Sequence, residues 1–133
     1  MLVIDFETAK CLAEKLNIYG WNNCYYLYAK DNKRLINWSS MEADYYLKDN
    51  DRFYPAPFFQ EVFEFIEKEY GWNIFILPKN INNKTTTYSM IIKDGDNKDY
   101  SGAICDESKM ESINRAIRET VELIVEEKEM RGN

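Results

Sequence analysis

The segment from Ser108 to Ile124 constrains the fold more than any other part of this chain. Ser108-Lys109-Met110-Glu111 fits the capping box, with Ser108 at the cap and Glu111 three positions on. Ile113, Ala116, Ile117, Thr120, Val121 and Ile124 then recur at helical spacing and form one apolar stripe. Such a helix must lay its stripe on an apolar partner, and the remaining residues have to supply one. The helix is expected to fray between Glu126 and Arg131.

Two further helices are predicted upstream. Asp5 is an N-cap for a helix over about Phe6 to Leu16, with Phe6, Ala9, Leu12, Ala13 and Leu16 at helical spacing. Asn17 and Gly20 end it. Pro55-Ala56-Pro57 interrupts extended chain and places proline at the start of a second helix, where it is tolerated. Phe59, Val62, Phe63 and Ile66 form that helix's stripe, and Gly71 stops it.

Between the helices the sequence is strand-like. Cys24 to Ala29 is rich in aromatic residues that favour strands. Asp31-Asn32-Lys33 reads as a turn and Leu35 to Trp38 as the return strand. Ser39 to Arg52 reads two ways, with Met41, Tyr45, Tyr46 and Leu47 either on a short helix or packed as a loop, and Asp49-Asn50-Asp51 reads as exposed loop. Asn73 to Leu77 is a strand ending at Pro78, the polar run Lys79 to Thr86 a loop, and Thr87 to Ile92 a second strand. Asp94-Gly95-Asp96-Asn97 is a hairpin turn, followed by a third strand over Tyr100 to Cys105. The order is α-β-β, then α-β-β-β-α. It predicts an α+β fold, most simply an antiparallel meander sheet with helices packed on one face. With 133 residues, the chain has the length of a single domain over 1–133, with sub-parts 1–52 and 53–133.

The residues also resemble a known group. Phe6-Glu7-Thr8-Ala9-Lys10, the Tyr-rich hairpin, Tyr54-Pro55-Ala56-Pro57 leading into Val62-Phe63-Glu64-Phe65-Ile66, and the long final helix together look like small uncharacterised proteins found in phages and prophages of Bacteroides-type bacteria. The likeness covers nearly the whole chain. Phe58 stands where the group usually has Thr, and Phe65-Ile66 where it often has a Trp-Leu pair. The resemblance implies an accessory or counter-defence setting and carries over no catalytic or binding residue.

Composition narrows the chemistry. There is no histidine, which removes Ser-His-Asp and Cys-His nucleophiles and His-containing zinc sites. Three scattered cysteines, Cys11, Cys24 and Cys105, fall short of a four-thiolate zinc site and read as reduced thiols. Asp94, Asp96 and Asp99 cluster on one turn, but Lys98 breaks the calcium-loop pattern, so a plain hairpin is the expectation there. No glycine-rich phosphate loop is present. The expectation is therefore no enzyme, no cofactor and no metal. Met1 to Ile4 is apolar, but Asp5 and Glu7 follow at once. That predicts no secretion signal, no membrane span and a cytoplasmic protein.

The net charge of -6 disfavours nucleic acid and suits a basic protein partner. The order α-β-β-β-α from Pro57 onward is that of double-stranded-RNA-binding domains, yet Asp106, Glu107 and Glu111 make the relevant helix start acidic. Aromatic residues make up 15% of the chain, including ten Tyr. In the hairpin, Tyr25, Leu27 and Ala29 share one face, and Cys24, Tyr26 and Tyr28 the other. One face is expected in the core. The other is covered either by Tyr45, Tyr46 and Trp38 of the same chain or by a partner. The candidate interface comprises Tyr25, Tyr26, Tyr28, Trp38, Glu42, Asp44, Tyr45, Tyr46, Asp49 and Asp51. The leading expectation is a binding module that modulates a host protein, such as an acidic inhibitor of a basic nucleic-acid-binding protein. The alternatives are self-association into a homodimer, an RNA-binding-like module, or a small ligand-binding domain.

Overall fold

A computed structural model describes residues 3–21, 26–37, 52–82, 85–96, 99–101, 104–105 and 108–131. These residues form an α+β fold with three helices and two antiparallel sheets. The chain divides into two compact units, Met1–Val62 and Phe63–Asn133.

In the first unit, α1 spans Phe6–Leu16. The Asp5 carboxylate accepts the Thr8 N–H at 2.8 Å, which satisfies one of the free donors of the first turn. Asn17 closes the helix in the left-handed region at φ 56°, its N–H reaching back to Leu12. Strands β1 (Tyr26–Ala29) and β2 (Leu35–Asn37) form the expected hairpin, with Tyr28 opposite Leu35.

A third strand, β3 (Phe53–Pro55), pairs with the other edge of β1, so the sheet order is β2-β1-β3. The meander of the sequence reading is thus two sheets. Phe53–Pro55 completes the first sheet because β1 offers a second edge whose backbone groups need partners.

The helix α2 (Phe59–Tyr70) follows, with Val62 and Ile66 fully buried. Gly71 ends it at φ +72°, donating its N–H to Glu67 at 2.9 Å.

The second unit is built on a long ribbon, β4 (Asn73–Asn82) paired with β5 (Thr85–Lys93). The polar run expected as a loop over Lys79 to Thr86 is therefore mostly strand. Its pairing continues from Lys79↔Thr87 to Asn82↔Thr85, with a register shift between Asn80 and Asn82. The expected third strand is two short ones, β6 (Asp99–Ser101) and β7 (Ile104–Cys105), both paired with β5. Among the described residues β4 has no neighbour on its other side. Pro78 sits within β4, opposite Tyr88. A proline lacks an N–H and is accommodated in a ladder when that position faces an open edge.

The final helix, α3 (Lys109–Arg131), runs through the stretch expected to fray. It packs on β4 and β5, where Ala116 meets Met90, with Ile74 and Ile76 beside them. The Ser108 hydroxyl accepts the Glu111 N–H at 3.2 Å, as the capping box requires.

Candidate functional site

Of the sequence-predicted interface residues, the structure describes Tyr26 and Tyr28. Tyr25, Trp38, Glu42, Asp44, Tyr45, Tyr46, Asp49 and Asp51 lie outside the described residues. Tyr28 is only 9% exposed. Its hydroxyl donates to the Ile4 carbonyl at 2.7 Å, and its ring meets the edge of Phe6 at 5.6 Å. Burial, then the nearby Asp5 carboxylate, pushes its pKa above 10.0. Tyr28 is thereby spent on the fold's own packing. Tyr26 is half-buried, with its ring 6.0 Å from that of Phe58.

Among the described residues, α1 covers the Tyr28 side of the hairpin through Phe6. Tyr54 lies directly across from Tyr28 on β3, and Phe6 touches both rings. The Tyr54 hydroxyl donates to Glu14 Oε2 at 2.9 Å. The Lys30 ammonium sits 4.5 Å above the Tyr54 ring and 5.9 Å from that of Tyr19. Desolvation, then the hydrogen bond to Glu14, pushes the Tyr54 pKa up to about 12. A phenol so reluctant to ionise is a poor acid and no base near neutrality. Lys33 packs over Phe6 and pairs with Glu7 at 3.7 Å, an exposed pair that contributes little. The cluster locks α1 to the first sheet and assembles no nucleophile with its base.

The acidic hairpin is closed in the same spirit. Asp94 Oδ1 accepts the Asp96 N–H at 2.9 Å, a turn made by a short side chain bonding its own backbone. Among the described residues, no three Cys, Asp or Glu groups stand where they could hold a metal ion together. Cys11 is a buried cysteine. No described helix is long and apolar enough to cross a membrane.

Comparison with models of protein families, with curated proteins and with solved structures returned no match.

Two features remain, both in the second unit. One is an open hollow of about 440 Å³ lined by Glu69, Tyr70, Ile124, Glu127, Lys128 and Arg131. Its polar groups serve one another. Arg131 pairs with Glu127 at 2.8 Å, the Trp72 indole donates to Glu127 at 3.3 Å, and Lys128 sits 4.9 Å over the Tyr70 ring.

The other is the outward face of the second sheet. Ile74 and Ile76 point toward α3, so Phe75 and Leu77 point away from it. They are 45% and 47% exposed, and Ile91 stands beside Phe75 on β5. Large apolar side chains held side by side in water on a rigid sheet are the usual makings of a contact surface. Sequence reasoning passed over this face. The signal available was the run Ile74-Phe75-Ile76-Leu77, which is apolar at both strand parities although the covering helix can take only one.

Proposed function

We propose that this chain is a non-enzymatic protein-binding module, and that the outward face of its second sheet is the docking surface. The observation that carries the reading is the half-exposure of Phe75 and Leu77 on a sheet whose opposite face is occupied by α3. The net charge of -6 favours a partner whose apolar patch is framed by Lys and Arg, since opposite charge steers encounter and like charge deters it. The resemblance to phage and prophage proteins supports a host protein as the target and the bacterial cytoplasm as the place of action. Inhibition of a basic nucleic-acid-binding or defence protein is the most concrete form of this role.

The test is a paired capture from bacterial lysate, with the tagged chain and with a Phe75→Asp/Leu77→Asp variant, each at low and high salt. The reading expects a stoichiometric protein held by the parent chain, lost at high salt and lost in the variant. A partner held equally by both chains would move the site elsewhere. Capture of nothing by the parent chain would remove the reading.

A further inference from the structure

We infer that two copies of this chain pair edge to edge through β4, and that the register of the pairing is centred on Phe75. The inference is independent of any foreign partner. It starts from the backbone. Among the described residues β4 is the edge strand of its sheet, so half of its N–H and C=O groups have no ladder partner. Pro78 tells which half. Its missing N–H belongs on the open side, and residues of the same parity share that orientation. The N–H and C=O groups of Ile74 and Ile76 therefore face the open edge, while those of Phe75 and Leu77 serve β5.

An antiparallel strand can pair with its own copy about a two-fold axis. With Phe75 opposite Phe75 of the second copy, Ile74 falls opposite Ile76 and each exchanges both of its hydrogen bonds. Shifting the centre to Ile76 would set Ile74 against Pro78 and lose a donor on each side. Centring on Phe75 satisfies the open groups of Ile74 and Ile76 and leaves Pro78 outside the paired stretch. Phe75 then occupies the closer, non-hydrogen-bonded position, where side chains of the two copies touch on the outward face.

Charge selects the occupant. A chain of net charge -6 repels its own copies in general. The stretch Asn73 to Pro78 contains no charged residue, so here two copies meet without opposing like charges. The pairing also closes on itself. Each copy uses its single β4 edge, and the result is a two-fold dimer rather than a growing fibre. Its joined sheets present the Phe75 and Leu77 side chains of both copies as one continuous apolar strip.

Disulfide trapping reads the register directly. In a Cys24→Ser/Cys105→Ser background, Phe75→Cys places two thiols across the axis, where the Cβ atoms of facing residues lie about 4.5–5.5 Å apart. Mild oxidation should give a covalent dimer at Phe75→Cys and little at Leu77→Cys, whose thiols are displaced along the strands. Sedimentation of the unmodified chain should show a dimer that dissociates on dilution. Phe75→Lys should weaken it by about tenfold or more, by setting like charges together, with an unchanged circular dichroism spectrum. A monomer at every accessible concentration overturns the inference. Trapping that favours Leu77→Cys over Phe75→Cys overturns the register. An extended foreign peptide bound at this edge by a chain that stays monomeric would overturn the second copy as its occupant.

Discussion

The two sheets of this molecule are treated oppositely by the side chains that flank them. In the first, consecutive residues Leu27, Tyr28 and Ala29 on β1, and Phe53 and Tyr54 on β3, are all buried, so both faces are enclosed along these two strands, while β2 at the edge leaves Leu35 40% exposed. In the second, burial alternates from Ile74 to Leu77 on β4, and one face is left with Phe75 and Leu77 in water. A strand buried on both sides has exhausted its apolar surface in making the fold. One buried on a single side keeps a surface to spend on something else. The aromatic richness of the hairpin, which marks it as an interface from sequence, is consumed at Tyr28 by packing under α1 beside Tyr54 of β3.

The contrast can be broken most forcefully at paired leucines. Leu27→Ala in the first sheet should cost about 2–5 kcal/mol, the usual range for a fully buried leucine, measured by urea unfolding. Leu77→Ala should change stability by about 0.5 kcal/mol or less while weakening association. Equal costs would mean that the two faces are not different in kind.

Next in size is Tyr28→Phe. It leaves the Ile4 carbonyl without its buried donor and should cost about 1–3 kcal/mol, with no effect on association.

Alkali should sharpen the contrast further. Tyr28 and Tyr54 both hold their protons more tightly in the fold than at the ordinary value of 10.0. The unfolded chain therefore releases these protons first as pH rises. The stability they contribute is complete below pH 10 and is lost from there toward about 12. The urea midpoint should fall across that window, and fall less steeply in Tyr54→Phe. An identical slope in the two proteins would count against the Tyr54–Glu14 contact.

The smallest expected effect is a gain. Ser112 is fully buried on α3, and its hydroxyl has no hydrogen-bond partner among the described residues. Ser112→Ala removes an unsatisfied group and should raise stability by about 0.5–1 kcal/mol, seen as a higher urea midpoint.

Much of the fold is legible in the sequence because its signals are local. Asp5 and Ser108 announce the starts of α1 and α3 through bonds within one helical turn. The stripes of the three described helices follow from spacing alone. What was not legible depends on partners distant in the chain. Phe53–Pro55 is too short, and too close to Asp49-Asn50-Asp51, to read as a strand until β1 is seen to need a second neighbour. The polar end of the β4–β5 ribbon looks like loop because its pairing rests on backbone bonds that side-chain pattern does not report.

The candidate surface is hidden for a similar reason. Ile74 and Ile76 are no more apolar than Phe75 and Leu77, and only the docking of α3 decides which pair is enclosed. The role of Phe6 as the cover over Tyr28 and Tyr54 is likewise a tertiary fact that helical periodicity could not supply.

Pro78 in the middle of the edge strand also sets a timetable. By the parity that Pro78 sets, the amide protons of Phe75 and Leu77 face β5 and should exchange with solvent deuterium slowly, whereas those of Ile74 and Ile76 face the open side and should exchange quickly in dilute solution. Along one short stretch of chain, fast and slow clocks would then alternate residue by residue. Raising the protein concentration should slow only the fast ones.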